Sequence, residues 1–184
     1  PEHPAGGGRV LVNMVASKDG TAIAFDRAGD GPPVVLVGGA LSTRGAAKPL
    51  AALLAPSFTV YAYDRRGRGR GDSGDTPPYE VDREVEDVQA LVEEAGGSAF
   101  AFGHSSGGVL ALETAAHTLG ISKLALYEPP FIVDDSRPAV PDDYVEHLAE
   151  LASTDRRSDA VGYFMLTGVG APPEAVAPMK ELSF

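Results

Sequence analysis

The chain has 184 residues, 43% hydrophobic and 22% charged, which indicates a folded globular domain rather than a disordered segment. Its 26 acidic and 15 basic residues give a net charge of −11, which disfavours nucleic acid and anionic membranes as partners. Cysteine is absent, which excludes disulfides and thiolate metal sites, and no apolar stretch is long enough to span a membrane. We therefore expect a cytoplasmic protein that uses a small-molecule substrate and needs neither a metal nor another cofactor.

The first predicted elements form a hairpin near the N-terminus. Two β-rich runs, 10–17 and 21–27, flank Lys18-Asp19-Gly20, and an Asp-Gly step between such runs favours a tight turn. Continuous apolar runs follow, and each ends in a glycine or an acidic residue. They cover 33–37, 59–63, 99–102 and 123–127. Runs of this kind predict buried parallel strands.

Helical patterns lie between the apolar runs. They cover 45–55, 80–95 and 106–119. In the second of them, valine and leucine side chains form one stripe, and the acidic residues Glu84, Asp87, Glu93 and Glu94 fall mainly outside it. Strands that alternate with helices predict an α/β fold with a doubly wound, mostly parallel sheet.

The pattern changes after Pro129-Pro130. Residues 131–140 are typical of a loop, 141–152 and 156–167 are predicted helices, and Pro172-Pro173 opens a third helix. We therefore divide the chain into a core, residues 1–130, and a helical cap, residues 131–184.

One short motif carries a candidate nucleophile. The chain reads Gly103-His104-Ser105-Ser106-Gly107, the pattern G-x-S-x-G, between an apolar strand and a helix of small residues. The turn is so tight that the positions two before and two after the serine must lack side chains. It would place Ser105 at a helix N-terminus, where the Ser106 N–H faces a developing oxyanion. The alternative is a glycine-rich strand–helix turn without catalytic function.

The motif and two further segments resemble the α/β-hydrolase superfamily, in its small esterase and haloperoxidase-like branch. The segments are 34–40, which resembles the oxyanion-hole strand and loop, and 63–74, which resembles the D-x-R-G-x-G-x-S loop. The resemblance implies a serine hydrolase for a small carboxylic ester or related acyl compound. It makes Ser105 the nucleophile and the N–H groups of Ala40 and Ser106 the oxyanion hole. The sequence departs from the family at Gly38, where a histidine is usual, and in a longer loop at 67–71.

The residues that should activate the serine are harder to find among the four histidines. His104 precedes the nucleophile and is predicted to be a buried structural residue facing away from it. His117 lies too far along the following helix, and His3 lies in a loose terminal segment. His147 on a predicted cap helix is the one histidine that could approach the site. Glu128 is a candidate acid at the end of the run 123–127, with a structural loop carboxylate as the alternative.

The resemblance also implies a histidine, an acid, two strands and two helices beyond residue 184. We therefore expect the chain to be a fragment, a truncated relative or one piece of an assembly, inactive as a hydrolase by itself. The run 123–127 would then form an exposed edge strand and favour self-association. The alternative function is a non-catalytic α/β-hydrolase-like binding module or truncated pseudoenzyme.

A cluster of basic residues follows the apolar run 59–63. Arg65, Arg66, Arg68 and Arg70 would suit a phosphate or nucleic-acid site, but the strongly negative net charge favours a structural loop.

Overall fold

The computed structural model describes residues 12–69, 72–134 and 138–181. The chain divides into two compact units, Pro1–Pro129 and Pro130–Phe184. No helix in the described residues is long and apolar enough to cross a membrane.

A six-stranded sheet forms the centre of the first unit, with the strand order β1-β2-β4-β3-β5-β6. The strands are β1 (Asn13–Ala16), β2 (Ala22–Ala28), β3 (Pro33–Val37), β4 (Thr59–Tyr63), β5 (Ala99–His104) and β6 (Ile121–Tyr127). The hairpin strands β1 and β2 pair antiparallel, and β2 continues antiparallel to β4. All other neighbours pair in parallel, so the predicted hairpin and parallel sheet are confirmed.

Helices cover both faces of this sheet. They are α1 (Lys48–Leu54), preceded by a 3-10 turn (Arg44–Ala47), α2 (Val81–Glu94) and α3 (Ser106–His117). Alternate residues of β3 point to opposite sides. Val35 belongs to the core that contains Leu91 of α2, whereas Leu36 packs with Leu50 of α1. The helices therefore lie on two sides of one sheet, which confirms the doubly wound α/β fold.

The burial of two acidic residues on α2 corrects the sequence analysis. Glu84 is 2% exposed and Asp87 is 1% exposed, although the apolar stripe predicted them to lie mainly outside the buried face. Each carboxylate receives two hydrogen bonds from an arginine that follows β4, Glu84 from Arg65 and Asp87 from Arg66. A buried carboxylate is tolerated when a guanidinium satisfies it in this bidentate way.

These ion pairs also settle part of the assignment of the basic cluster. The side chains of Arg65 and Arg66 are only 8% and 1% exposed, and both are held by carboxylates of α2. They fasten the loop after β4 to the helix, as the structural interpretation predicted. Arg70 lies outside the described residues.

The second unit is helical in its described residues. It contains α4 (Tyr144–Ser153), α5 (Arg157–Tyr163), a π-helical turn (Phe164–Val169), α6 (Pro173–Val176) and a 3-10 turn (Ala177–Glu181). Tyr163 packs between Tyr144 and His147, with ring centroids 5.4 and 4.6 Å away. The predicted helices are thus present, and 131–134 and 138–140 are irregular as expected.

The neighbours Asp87 and Glu86 on α2 allow a buried ion pair to be compared with an exposed one. Asp87→Ala is expected to lower the free energy of unfolding by about 3–5 kcal/mol, because it leaves the buried Arg66 charge short of its main partner. Glu86→Ala removes a 2.8 Å contact with Lys18, whose side chain is 79% exposed. The loss there should stay below about 1 kcal/mol. Urea denaturation measures the free energy of unfolding of both variants, and equal losses would contradict the burial of the Asp87–Arg66 pair.

Candidate active site

Ser105 lies in a strained turn between β5 and α3. Its backbone has φ 54° and ψ −127°, a region that residues with a side chain seldom adopt. Its N–H donates to the Tyr127 carbonyl of β6 at 2.9 Å, and its own carbonyl accepts from the Gly108 N–H at 2.8 Å. The predicted position of Ser105, on a tight turn rather than inside a regular helix, is confirmed.

Glycines on either side of Ser105 make this turn possible. A Cβ on Gly103 would lie 2.5 Å from the Cα of Gly108 in α3. A Cβ on Gly107 would lie 2.2 Å from the carbonyl oxygen of Val37 in β3. Both distances are far below van der Waals contact, so β5, α3 and β3 meet backbone against backbone at this point.

The loop after β3 comes up to the serine from the other side. Gly39 is buried, and a Cβ there would lie 3.1 Å from the Cβ of Ser105. Ala40 follows in a turn in which the Ser42 N–H donates to the Gly39 carbonyl at 3.3 Å. Ser106 occupies the first position of α3. The structure therefore brings together the segments that carry Ser105, Ser106 and Ala40; their catalytic roles stay predictions.

Two arginines from the loop after β4 hold the backbone beside the serine. Arg65 Nη1 donates to the Gly38 carbonyl at 3.4 Å and to Ser106 Oγ at 3.2 Å. Arg68 Nη1 donates to the Gly39 carbonyl at 3.0 Å. The sequence predicts no more than a structural loop role for these arginines. The signal that could have found them is their place within residues 63–74, the segment that resembles the D-x-R-G-x-G-x-S loop.

The charge of Arg65 is stabilised where it lies. Burial acts to lower the pKa of its guanidinium, but the hydrogen bond to Glu84, together with the charge of Glu84 and smaller contributions from its neighbours, makes the net shift of that pKa upward. Arg65 therefore stays protonated, and Glu84 compensates its charge in the interior.

Asp64 and Ser73 anchor the two ends of the loop that follows β4. Asp64 is fully buried and accepts a hydrogen bond from the Arg44 N–H at 2.7 Å, and its carboxylate also pairs with the Arg44 guanidinium. Ser73 Oγ donates to the Asp64 carbonyl at 2.6 Å and accepts from the Ala24 N–H at 2.9 Å. The aspartate and the serine of the D-x-R-G-x-G-x-S segment thus fix the loop to its neighbours.

A cavity of about 380 Å³ lies on the α1 side of the sheet, beside the residues that precede Ser105 and Gly39. Its apolar wall comes from β3, the 3-10 turn, α1 and the ends of β5 and β6, and includes Leu36, Ala47, Leu50, Phe102 and Tyr127. Two hydroxyl groups, those of Ser42 and Thr43, also line it. The volume is within the range of about 300–1,000 Å³ that is usual for small-molecule pockets.

His104 is exposed, which corrects its prediction as a buried structural residue. It lines the cavity, and its ring stacks on that of Tyr127 with centroids 5.6 Å apart. It is the last residue of β5, where the strand gives way to the turn at Ser105. In this structure His104 is therefore part of a pocket wall and not of the core.

The comparison with known proteins decides the family. The family model described as "Alpha/beta hydrolase family" matches residues 34–181. The chain belongs to the α/β-hydrolase family. It is similar to an alpha/beta hydrolase from Sphaerobacter thermophilus, with 60% identity and a TM-score of 0.88. The match covers 92% of this chain but 65% of that one, so this chain spans less than two thirds of the relative's length.

Two further solved structures show how varied the relatives are. The bottromycin epimerase BotH, in complex with bottromycin A2, is 31% identical with a TM-score of 0.68, and the match covers 94% of this chain and 68% of that one. The esterase RhEst1 from a Rhodococcus species is 26% identical with a TM-score of 0.64, covering 92% and 66% respectively. Both share the fold of this α/β-hydrolase chain.

The remaining candidate residues of the α/β-hydrolase chain are spread over both units. Glu128 is exposed with φ 48°, directly after Tyr127, whose carbonyl binds the Ser105 N–H. His117 ends α3 and its Nδ1 lies 2.8 Å from the Glu113 carbonyl oxygen. His147 belongs to the second unit, and His3 lies outside the described residues. Within the described ranges, no group of three or more acidic or histidine side chains could hold a metal.

The close approach at Gly107 can be tested against a glycine that has room. Gly107→Ala places a methyl group against the carbonyl oxygens of Val37 and Gly38, at 2.2 and 2.5 Å, and neither backbone can move aside without disturbing the sheet. We expect the free energy of unfolding to fall by about 3 kcal/mol or more.

Gly45→Ala is the control, because its new methyl would meet only Thr43 Oγ1 at 3.4 Å. Its effect should stay within about 1 kcal/mol. Thermal unfolding of the two variants checks the comparison, and a stable Gly107→Ala protein would contradict the packing at the turn.

Proposed function

We propose that this protein is a serine hydrolase that cleaves a small carboxylic ester or a related acyl compound, with Ser105 as the nucleophile. The observation that carries the proposal is the conformation of Ser105, whose φ of 54° holds it on the tight turn between β5 and the N-terminus of α3. A strained backbone of this kind persists where surrounding packing imposes it, and such sites are often functional. The α/β-hydrolase family and the esterase relative support the same reaction class.

The reaction follows from the atoms around the turn. Ser105 Oγ attacks the carbonyl carbon, its proton passes to a general base, and the carbonyl oxygen becomes an oxyanion that accepts from the N–H groups of Ser106 and Ala40. The base then protonates the leaving alcohol as the carbon–oxygen bond breaks, which leaves an acyl group on Ser105. Water hydrolyses this acyl-enzyme in the reverse sequence, releases the acid and restores the serine.

The substrate class follows from the cavity beside the turn. Its wall is mainly apolar, with aromatic contributions from Phe102 and Tyr127, and its volume of about 380 Å³ suits a small molecule. A short apolar acyl or alcohol group would fit there, with the hydroxyls of Ser42 and Thr43 available to one polar substituent. The net charge of −11 supports small-molecule substrates over nucleic acid or anionic membranes.

The general base must lie within hydrogen-bond reach of Ser105 Oγ. His117 lies about 18 Å along α3 from Ser105 at 1.5 Å per residue, so it does not act there. We propose that the base is supplied by residues corresponding to the part of the Sphaerobacter relative that this chain does not span, with His147 as the alternative. Glu128 is proposed as the acid because it follows the strand end bound to the Ser105 N–H.

A second candidate function is a binding module without hydrolytic activity. It is supported by BotH, which shares 31% identity over 94% of this chain, is named an epimerase rather than a hydrolase, and is solved with a bound ligand. In that case the cavity would hold a small ligand, and Ser105 would not be acylated.

Labelling of the complete gene product with a fluorophosphonate distinguishes the two functions. The probe should attach to Ser105, located by peptide mass spectrometry, and Ser105→Ala should abolish labelling. Ser122→Ala is the control, since that serine is exposed on β6 and donates to the Ala99 carbonyl at 3.3 Å, away from the turn at Ser105. Labelling that survives Ser105→Ala, or an unlabelled wild-type protein, would overturn the hydrolase proposal.

Residues 1–184 alone test where the base lies. We expect this chain to turn over an activated ester no faster than about 10³–10⁴-fold above water, the level left to an oxyanion hole without a triad. Turnover at ordinary enzyme rates that His147→Ala abolishes would instead identify His147 as the base.

A further inference from the structure

Two adjacent arginines make parallel ion pairs but reach different places. Arg65 and Arg66 both follow β4, both are nearly fully buried, and each binds a carboxylate of α2 with two hydrogen bonds. The remaining bonds of Arg66 go to Asp19 at 3.1 Å and to the Arg83 carbonyl at 3.1 Å, which belong to the hairpin turn and α2. Arg66 therefore fastens the scaffold.

The side chain of Arg65, which is held by Glu84 of α2, also contacts the two segments beside Ser105. Its Nη1 donates to the Gly38 carbonyl at 3.4 Å and to Ser106 Oγ at 3.2 Å. Gly38 begins the loop that leads to Ala40, and Ser106 is the first residue of α3. One guanidinium thus touches both segments whose N–H groups form the proposed oxyanion hole.

We propose that Arg65 is a positioning residue that sets the separation of the two oxyanion-hole segments, and this inference rests on the proposed function. Oxyanion donors are effective only within about 2.7–3.1 Å of the developing charge, so a small displacement of either segment weakens them. A planar guanidinium held by Glu84 on one edge is a rigid spacer between two acceptors, which a flexible lysine ammonium cannot reproduce.

The role is geometric rather than electrostatic. Glu84 is as deeply buried as Arg65, with side chains 3% and 8% exposed, and its negative charge compensates the positive one. The pair therefore contributes little net charge at Ser105. What the site gains is a fixed distance between Gly38 and Ser106, and this should affect the chemical step more than substrate binding.

Arg65→Lys and Arg66→Lys form the matched test in the complete gene product, assayed with a p-nitrophenyl ester. Both variants weaken a buried bidentate pair and should lower the melting temperature to a similar extent. Arg65→Lys should also lower kcat about tenfold or more with KM nearly unchanged, because it loosens the oxyanion hole. Arg66→Lys should keep kcat within about threefold of wild type, since Arg66 touches neither segment.

Ser106→Ala provides a second variant that keeps the Arg65–Glu84 pair and the Ser106 N–H. It removes only the acceptor on α3, so we expect kcat to fall about threefold to tenfold with an unchanged melting temperature. The double variant Arg65→Lys/Ser106→Ala should be no slower than Arg65→Lys alone, because both changes break the same connection.

The outcomes separate this inference from the proposed function. If the wild-type protein neither hydrolyses the ester nor labels at Ser105, the proposed function fails. If it does both, but Arg65→Lys and Arg66→Lys lower kcat equally, Arg65 is a scaffold residue and the inference is wrong. Additive losses in the double variant would overturn it as well, and an unchanged kcat in Ser106→Ala would do so even if Arg65→Lys does not fold.

Discussion

The contact of three backbones at the end of β5 is the constraint on which the site depends. Because Gly103 and Gly107 lack side chains, α3 starts directly against β5 and β3, and the chain turns within one residue. Ser105 is that residue, and its positive φ is the consequence of the close approach. A side chain at either glycine would push α3 outward and relax the turn. The position of the serine therefore depends on the missing side chains of these two glycines as much as on the contacts of the turn.

Buried ion pairs hold the loops around this turn in place. The loop after β3 has no regular hydrogen-bond ladder of its own near Gly38 and Gly39, and arginine side chains occupy those carbonyls instead. Glu84 of α2 compensates the charge of Arg65, and Asp87 compensates that of the neighbouring Arg66. Ion pairs of this kind add little net stability compared with apolar packing, but they demand specific geometry. This requirement for specific geometry suits a region where loops that follow different strands must be placed accurately relative to one another.

The fold admits several chemistries, and the relatives illustrate this breadth. An esterase and an epimerase share the architecture of this chain at 26% and 31% identity. In such a family the sheet and the turn provide a fixed place for a reactive group, while the pocket wall decides what reaches it. Here the cavity is bounded by α1 and the ends of β5 and β6, and the exposed His104 and Tyr127 form its rim. Differences between members at these positions would change the shape and polarity of the cavity without changing the scaffold.

Local patterns in the sequence determined the order of elements and the position of the serine. The Asp-Gly turn, the apolar runs and the G-x-S-x-G motif each depend on neighbouring residues, so they could be interpreted without knowing the fold. The burial of Glu84 and Asp87 and the exposure of His104 could not be predicted in this way. The two carboxylates depend on partners about twenty residues away, and His104 depends on the end of a strand. Only the tertiary structure placed Arg65 and Arg66 opposite those carboxylates, and this made burial of the charges favourable. An amphipathic stripe registers polarity along one helix, but it contains no information about which opposing side chain will satisfy a charge.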